Sequence, residues 1–195
     1  MIDTAVDAIR AGKPVILPTD TVYGLCSSPY TAEAVERLVQ LKGRGQDQPI
    51  ALVASDVDML FECVPELRGR SGTIARALLP GPYTLVFPNP ARRFRWLTGS
   101  RPDTIGVRVP ALEGCAREVL DRVCAVAATS ANLAGGRDPR TVGEIPQELL
   151  AGVAEVVDVG ELPGPASTVI DFTGDEPQVL REGAGDLASA FAAVG

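Results

Sequence analysis

Three short segments carry side chains suited to gripping phosphate groups. They are Thr19 and Thr21 within Pro18-Thr19-Asp20-Thr21-Val22-Tyr23-Gly24-Leu25, Lys42 and Arg44 on either side of Gly43, and Ser130 and Asn132 on either side of Ala131. Together they offer hydroxyls, two cations and an amide. No G-x-x-x-x-G-K-[ST] segment is present, so phosphate binding would need donors converging from separate parts of the chain. The members of each pair stand two residues apart, and in extended backbone that spacing puts both on one face. Lys42 supplies a compact charge and Arg44 a planar fork, while Gly43 and Gly45 allow close backbone approach. Ser130 and Asn132 could donate to phosphate oxygens or to a ribose. Each pair also has a plainer reading: a basic pair at a helix end complements the helix dipole, and Ser, Thr and Asn populate turns. Arg108 carries more information. A guanidinium between Val107 and Val109 needs either a salt-bridge partner or an open cleft, where a carboxylate ligand would meet it bidentately.

With no histidine in the chain, Ser-His-Asp catalysis, Cys-His catalysis and the H-E-x-x-H metalloprotease pattern are excluded. The four cysteines, Cys26, Cys63, Cys115 and Cys124, lack C-x-x-C spacing, which rules out a standard zinc pattern and predicts reduced, mostly buried thiols. A net charge of minus 7 argues against a surface generally coated by nucleic acid. Yet Arg68, Arg70, Arg76, Arg92, Arg93, Arg95, Arg101 and Arg108 share a stretch whose only acid is Asp103. That stretch is either a local anion-binding surface or a set of scattered, solvated arginines. No apolar run approaches the roughly 20 residues that span a bilayer, and the N-terminus lacks a basic region followed by an apolar one. No membrane partner and a cytoplasmic location are therefore expected.

These groups must be held by a fold, and 46% hydrophobic residues suffice for one core hiding roughly 70% of the unfolded surface. Apolar periodicity predicts a helix over Ala5 to Ala11 and a strand over Pro14 to Leu17, so the first motif begins where that strand stops. Thr31 caps a second helix with Ala34, Val35, Leu38, Val39 and Leu41 on its apolar side, ended by Gly43. Strands follow at Pro49 to Ala54 and, after the turn Pro80-Gly81-Pro82, at Tyr83 to Phe87, with a helical segment starting at Ser55 or Asp56. Alternation then places Ile105, Val107 and Val109 on one face of a strand and Thr104, Gly106 and Arg108 on the other. A helix over Ala111 to Arg122 leads to a strand over Val123 to Ala128, and Ser130 follows directly. Strands near Val156, at Ser167 to Phe172 and at Gln178 to Leu180, and a helix from Asp186 to Ala193, complete an α/β domain. In open α/β sheets ligands bind beyond the carboxyl ends of strands, where Thr19, Thr21, Ser130 and Asn132 would stand.

In this order PTDTVYGL, LKGR and ATSANLAG, joined by LPGPYTLVFP, RWLTG, GVRVP, PASTVIDF and VLREGAG, resemble the YrdC-like family, the threonylcarbamoyl-AMP synthases of tRNA modification. The resemblance runs from about Lys13 to Gly185. It implies a single domain over residues 1–195 with no additional C-terminal domain: a twisted mixed sheet flanked by helices around a concave, positively charged cavity. It implies a nucleotidyltransferase that joins L-threonine, bicarbonate and ATP into threonylcarbamoyl-AMP and pyrophosphate. ATP is then a substrate, with Mg2+ bound through its phosphates and no metal ligands from the chain. Implied partners are a tRNA threonylcarbamoyl transferase complex and tRNA or double-stranded RNA.

The family's catalytic K-x-R and S-x-N tetrad carries over to Lys42, Arg44, Ser130 and Asn132, with Lys42 and Arg44 stabilising the ATP phosphates. ATP-binding positions match Arg44, Thr104, Ser130 and Arg181, and threonine-binding positions match Thr21, Arg108 and Ser167. Three positions depart from the pattern. Gly45 stands where many members have proline, Val53 where some have a threonine-contacting histidine, and Asp138 where some have serine. Two other readings are a non-catalytic YrdC-like RNA-binding protein and a carbamoyl-adenylate enzyme like the related domain of hydrogenase maturation proteins. The complete tetrad argues against the first and the short chain against the second.

Overall fold

The computed structural model describes residues 1–194; Gly195, the last residue of the expected domain, lies outside them. The chain runs α1 (Ile2–Arg10), β1 (Val15–Pro18), β2 (Tyr23–Ser27), α2 (Ala32–Lys42), β3 (Ala51–Ala54), α3 (Val57–Cys63), α4 (Gly69–Leu78) and β4 (Tyr83–Pro88). It continues through β5 (Thr104–Arg108), α5 (Gly114–Val123), β6 (Ala125–Ser130), α6 (Gln147–Gly152), β7 (Thr168–Asp171), β8 (Gln178–Arg181) and α7 (Leu187–Val194). Two single 3-10 turns, Arg95–Leu97 and Val142–Glu144, lie between elements.

All eight strands join one mixed sheet in the order β1-β2-β6-β3-β5-β4-β7-β8. The β3–β5 and β4–β7 pairs are parallel and the others antiparallel. One face is sealed from β1 to β7, and β8 at the edge is exposed. Ile16, Leu25, Leu52, Leu85, Phe87, Ile105 and Val107 share a core with apolar residues of α2, α3, α4 and α6. The other face is sealed only in part: Val15, Leu17, Cys26, Val53 and Val126 pack with Val6 and Ile9 of α1 and Val119 and Leu120 of α5. Where those two helices stop, the sheet is uncovered, and the uncovered part becomes the site.

Local signals explain the elements that aim the site. The Thr31 hydroxyl accepts the Ala34 N–H, Glu33 sits in the first turn of α2 and Lys42 in the last, and Gly43 closes the helix at φ 63°, a conformation glycine adopts without steric cost. The left-handed turn reverses the chain and sends Arg44 back toward the sheet. The Thr19 hydroxyl accepts the N–H groups of Thr21 and Val22, each at 3.2 Å, and donates to Val22 O at 2.7 Å. That turn folds β2 back onto β1 with Leu17 opposite Gly24.

Several expectations shift. β2, α4 and α6 are elements that the sequence reading does not include. Val156 makes one isolated bridge to Ile16 rather than a strand. α5 begins at Gly114, three residues after its expected start: its N-cap Glu113 is extended at φ −132° and ψ 169°, and the Ala111 N–H is drawn to Asp20. Cys124 takes φ 70° and separates α5 from β6. All four cysteines are free thiols; Cys26 is buried, the others half-buried. Among the described residues no helix is long and apolar enough to cross a membrane.

Candidate active site

The uncovered half-face forms the floor of a cleft of about 540 Å³, a volume suited to a small-molecule ligand. Its floor is built from alternate residues of neighbouring strands: Gly24 of β2, Ala128 and Ser130 of β6, Ala51 and Val53 of β3, Thr104, Gly106 and Arg108 of β5, Thr84 and Val86 of β4, and Val169 of β7. The expected alternation of Thr104, Gly106 and Arg108 therefore holds. The expectation of a site beyond the carboxyl ends of the strands holds only in part: Thr19, Ser130 and Asn132 line the cleft, but the cleft lies across the half-face of a mixed sheet that α1 and α5 leave bare.

Eight of the nine residues to which the resemblance assigns catalytic or binding roles line this one cleft: Lys42, Arg44, Thr104, Arg108, Ser130, Asn132, Ser167 and Arg181. Thr21 is fully buried and stands behind Arg108, accepting from its Nη2 at 2.8 Å. Thr19, in contrast, lines the cleft. None of the i, i+2 pairs lies wholly in extended backbone. Lys42 ends a helix and Arg44 follows the left-handed Gly43, Thr19 and Thr21 sit in a turn, and Asn132 lies two residues past the end of β6. The pairs converge through tertiary structure instead.

Each polar group has a definite environment. Lys42 donates to Ser130 O at 2.6 Å, Asn132 O at 3.0 Å and Asn132 Oδ1 at 2.6 Å. Burial, with the Arg44 charge beside it, pulls its ammonium from the ordinary 10.5 down to about 8, while Asp138 pulls the other way. The Ser130 hydroxyl donates to Asn132 Oδ1 at 2.7 Å. Arg44 donates from Nη1 to Thr129 Oγ1 at 3.0 Å and from Nη2 to Pro49 O at 2.9 Å. Arg108 donates from Nη2 to Asp20 as well as to Thr21, and the other Asp20 oxygen accepts the Ala111 N–H at 3.0 Å. Burial lowers the pKa of both guanidinium groups, opposed by Asp47 for Arg44 and by Asp20 for Arg108.

The Nε atoms of Arg44 and Arg108 are buried with no hydrogen-bond partner among the described residues. A buried donor without an acceptor costs about 1–3 kcal/mol, and both side chains line the cleft. Both hydrogens of Arg108 Nη2 are already engaged, so Nε and Nη1 are the donors left for a ligand. The open choice at Arg108 thus resolves as both alternatives at once: it has a salt-bridge partner and it faces a cleft.

Arg181 donates from Nε and Nη2 to Ser167 O at 3.0 and 2.9 Å, and Ser167 Oγ stands 2.8 Å from Thr84 Oγ1. Arg101, on the rim, pairs with Asp171 at 2.9 Å. Of the eight clustered arginines, Arg101 and Arg108 are the two that line the cleft. Arg76, Arg92 and Arg93 are paired with Asp58, Asp103 and Glu66, and Arg70 caps the carbonyls of Gly174 and Asp175. Clustering along the sequence does not become one surface. Sequence reasoning gave no role to Asp20 or Thr129, although each adjoins a motif residue. The adjacency was the available signal. Val53 and Asp138, two of the departures, both line the cleft. Among the described residues no group of three or more His, Cys, Asp or Glu could hold a metal ion.

Comparison with known proteins agrees in sequence and in fold. The chain is 35% identical to a putative threonylcarbamoyl-AMP synthase of Mycobacterium tuberculosis over 183 residues, 93% of this chain and 83% of that one. It is 33% identical to the threonylcarbamoyl-AMP synthase of Xanthomonas campestris over 93% of this chain and 97% of that protein. Among solved structures, Pyrococcus abyssi Sua5 complexed with L-threonine superposes with a TM-score of 0.90 at 34% identity, covering 100% of this chain. The chain spans 57% of that longer one. The family model named for Sua5, YciO and YrdC, described as "Telomere recombination", matches residues 7–183, and the chain belongs to this Sua5/YciO/YrdC family.

Proposed function

We propose that this protein is a threonylcarbamoyl-AMP synthase, condensing L-threonine, bicarbonate and ATP to threonylcarbamoyl-AMP and pyrophosphate. The observation that carries this reading is the convergence of eight separately placed polar residues on one cleft, two of whose guanidinium groups keep buried donors unpaired. The threonine amine and bicarbonate give N-carboxythreonine with loss of water. A carboxylate oxygen of that carbamate then attacks the α-phosphorus of ATP, and pyrophosphate leaves.

Arg108, through Nε and Nη1, meets the amino-acid carboxylate, with Ser167 beside it and Thr21 holding its far edge. Arg44, Thr104, Ser130 and Arg181 meet the nucleotide, and Lys42 and Asn132 complete the tetrad. Positively charged donors fixed before the ligand arrives stabilise charge that develops on the departing phosphates, and positioning supplies the rest. No histidine is needed. Mg2+ enters with the ATP phosphates and their waters. The cleft's cations favour an anionic ligand, although Asp20 and Asp171 offset Arg108 and Arg101. The protein acts in the cytoplasm, hands its product to a tRNA threonylcarbamoyl transferase, and meets tRNA or other double-stranded RNA there.

The test is pyrophosphate release with each substrate withheld in turn. Release is expected only when ATP, threonine and bicarbonate are all present. Equal turnover without threonine would exclude the synthase reading in favour of a carbamoyl-adenylate activity, and RNA binding without any turnover would favour the non-catalytic one.

A further inference from the structure

Lys42 and Arg44 stand two residues apart in one wall, yet their donors are used in opposite ways. Lys42 is 5% exposed, and its ammonium has three hydrogens. The three nearest acceptors, Ser130 O, Asn132 O and Asn132 Oδ1, lie at 2.6, 3.0 and 2.6 Å and take all of them. The backbone of Lys42 is tied to the same loop, since its carbonyl accepts the Ala134 N–H at 3.2 Å. Arg44, by contrast, keeps a buried Nε unpaired.

A chain of polarity follows. The ammonium can only donate, so it fixes the oxygen side of the Asn132 amide toward itself, while Asn132 Nδ2 donates to Gly136 O. The same Oδ1 can only accept, so the Ser130 hydroxyl gives it its single hydrogen at 2.7 Å. Ser130 Oγ, which the Lys42 ammonium approaches only to 3.4 Å, beyond its three nearer acceptors, lines the cleft as an acceptor.

We propose, building on the reading that the cleft binds ATP, that Lys42 is a positioning residue: it fixes the geometry and hydrogen-bond polarity of the Ser130–Asn132 turn and makes no contact with phosphate. The phosphates then fall to Arg44 and Arg181. Ser130 Oγ takes a donor of the ligand, such as a ribose hydroxyl or a metal-bound water. Lys42 still contributes its charge to the field in the cleft, but acts on the nucleotide through the loop it holds.

Lys13 and Lys42 are the two lysines of the chain, so protein labelled with 15N at lysine Nζ gives two ammonium signals. An exposed-site Lys13→Arg variant identifies which belongs to Lys42. The free protein is expected to show through-hydrogen-bond coupling from Lys42 Nζ to the carbonyl carbons of Ser130 and Asn132. With MgATP bound to saturation by calorimetry, those couplings persist and none to 31P appears. Absence of the carbonyl couplings in the free protein, or their replacement by phosphorus coupling in the complex, overturns the proposal. Failure of ATP to bind at all sinks the functional reading instead, and the couplings of the free protein still decide whether Lys42 holds the turn.

Kinetics gives a second arm. A guanidinium cannot direct three donors tetrahedrally, so Lys42→Arg is expected to lose kcat/KM for ATP to within about threefold of the loss in Lys42→Met. Recovery of about tenfold or more by arginine over methionine, the behaviour of a plain phosphate contact, counts against the proposal.

Discussion

Along β6 one face of the sheet changes character over three alternate residues. Val126 is sealed beneath α1 and α5, Ala128 stands at the boundary, and Ser130 opens onto the cleft. β2 makes the same passage from Cys26 to Gly24, and the covered and uncovered regions share β3 through Val53. The two halves differ in what the helices leave bare, not in the strands beneath them. Under the helices the side chains are apolar; beyond them glycine, threonine, serine and arginine stand among alanines and valines. A site has been made by withholding cover from part of a sheet.

That contrast can be broken at its covered end. Val126→Asp places a carboxylate where Val126 is 1% exposed, and it is expected to cost about 4 kcal/mol or more, enough to unfold much of the protein. Urea denaturation would show it. At the open end, Gly106→Val is expected to leave folding intact, since a Cβ there meets only Thr84 Cγ2, at 3.8 Å, and a branched residue suits a strand. The same side chain rises from the cleft floor, so turnover should fall about 100-fold or more through misplaced substrates. A thermal midpoint that drops together with activity would show that both halves are ordinary core. A third change sharpens the division within the cleft: Arg108→Ala should weaken threonine binding by about 2–4 kcal/mol and ATP binding by much less, and paired ligand titrations showing the reverse order would refute the assignment.

Much of this was legible in residues with strong local rules. Thr31 and Gly43 bracket α2 as their chemistry demands, and the alternation of β5 put Thr104, Gly106 and Arg108 on the cleft side before any fold was known. β2 escaped notice because its polar approach, Thr19-Asp20-Thr21, reads as loop, whereas that segment is the reversing turn of a hairpin. α4 has no side-chain cap and starts at a glycine with φ 55°, and α6 is six residues long; neither leaves a strong signature. The set of site residues was legible from motif order, but their hydrogen-bond use was not. Whether Arg108 meets Asp20, or whether the hydrogens of Lys42 are all taken, depends on partners 88 to 90 residues away in sequence. Such pairings follow from sheet order, which local propensity does not encode.

The order of the strands has a further consequence. Gly24 lies opposite Ser130, Val53 is flanked by Val126 and Arg108, and Val86 is flanked by Gly106 and Asp171. Stretches distant along the polypeptide are thus stitched together directly beneath the cleft. A molecule resting on that floor touches nearly every seam at once, so its binding energy resists global unfolding, by an amount set by its concentration relative to its Kd. Protection from proteolysis by substrate should therefore spread across the whole sheet rather than stay with the loops at its rim.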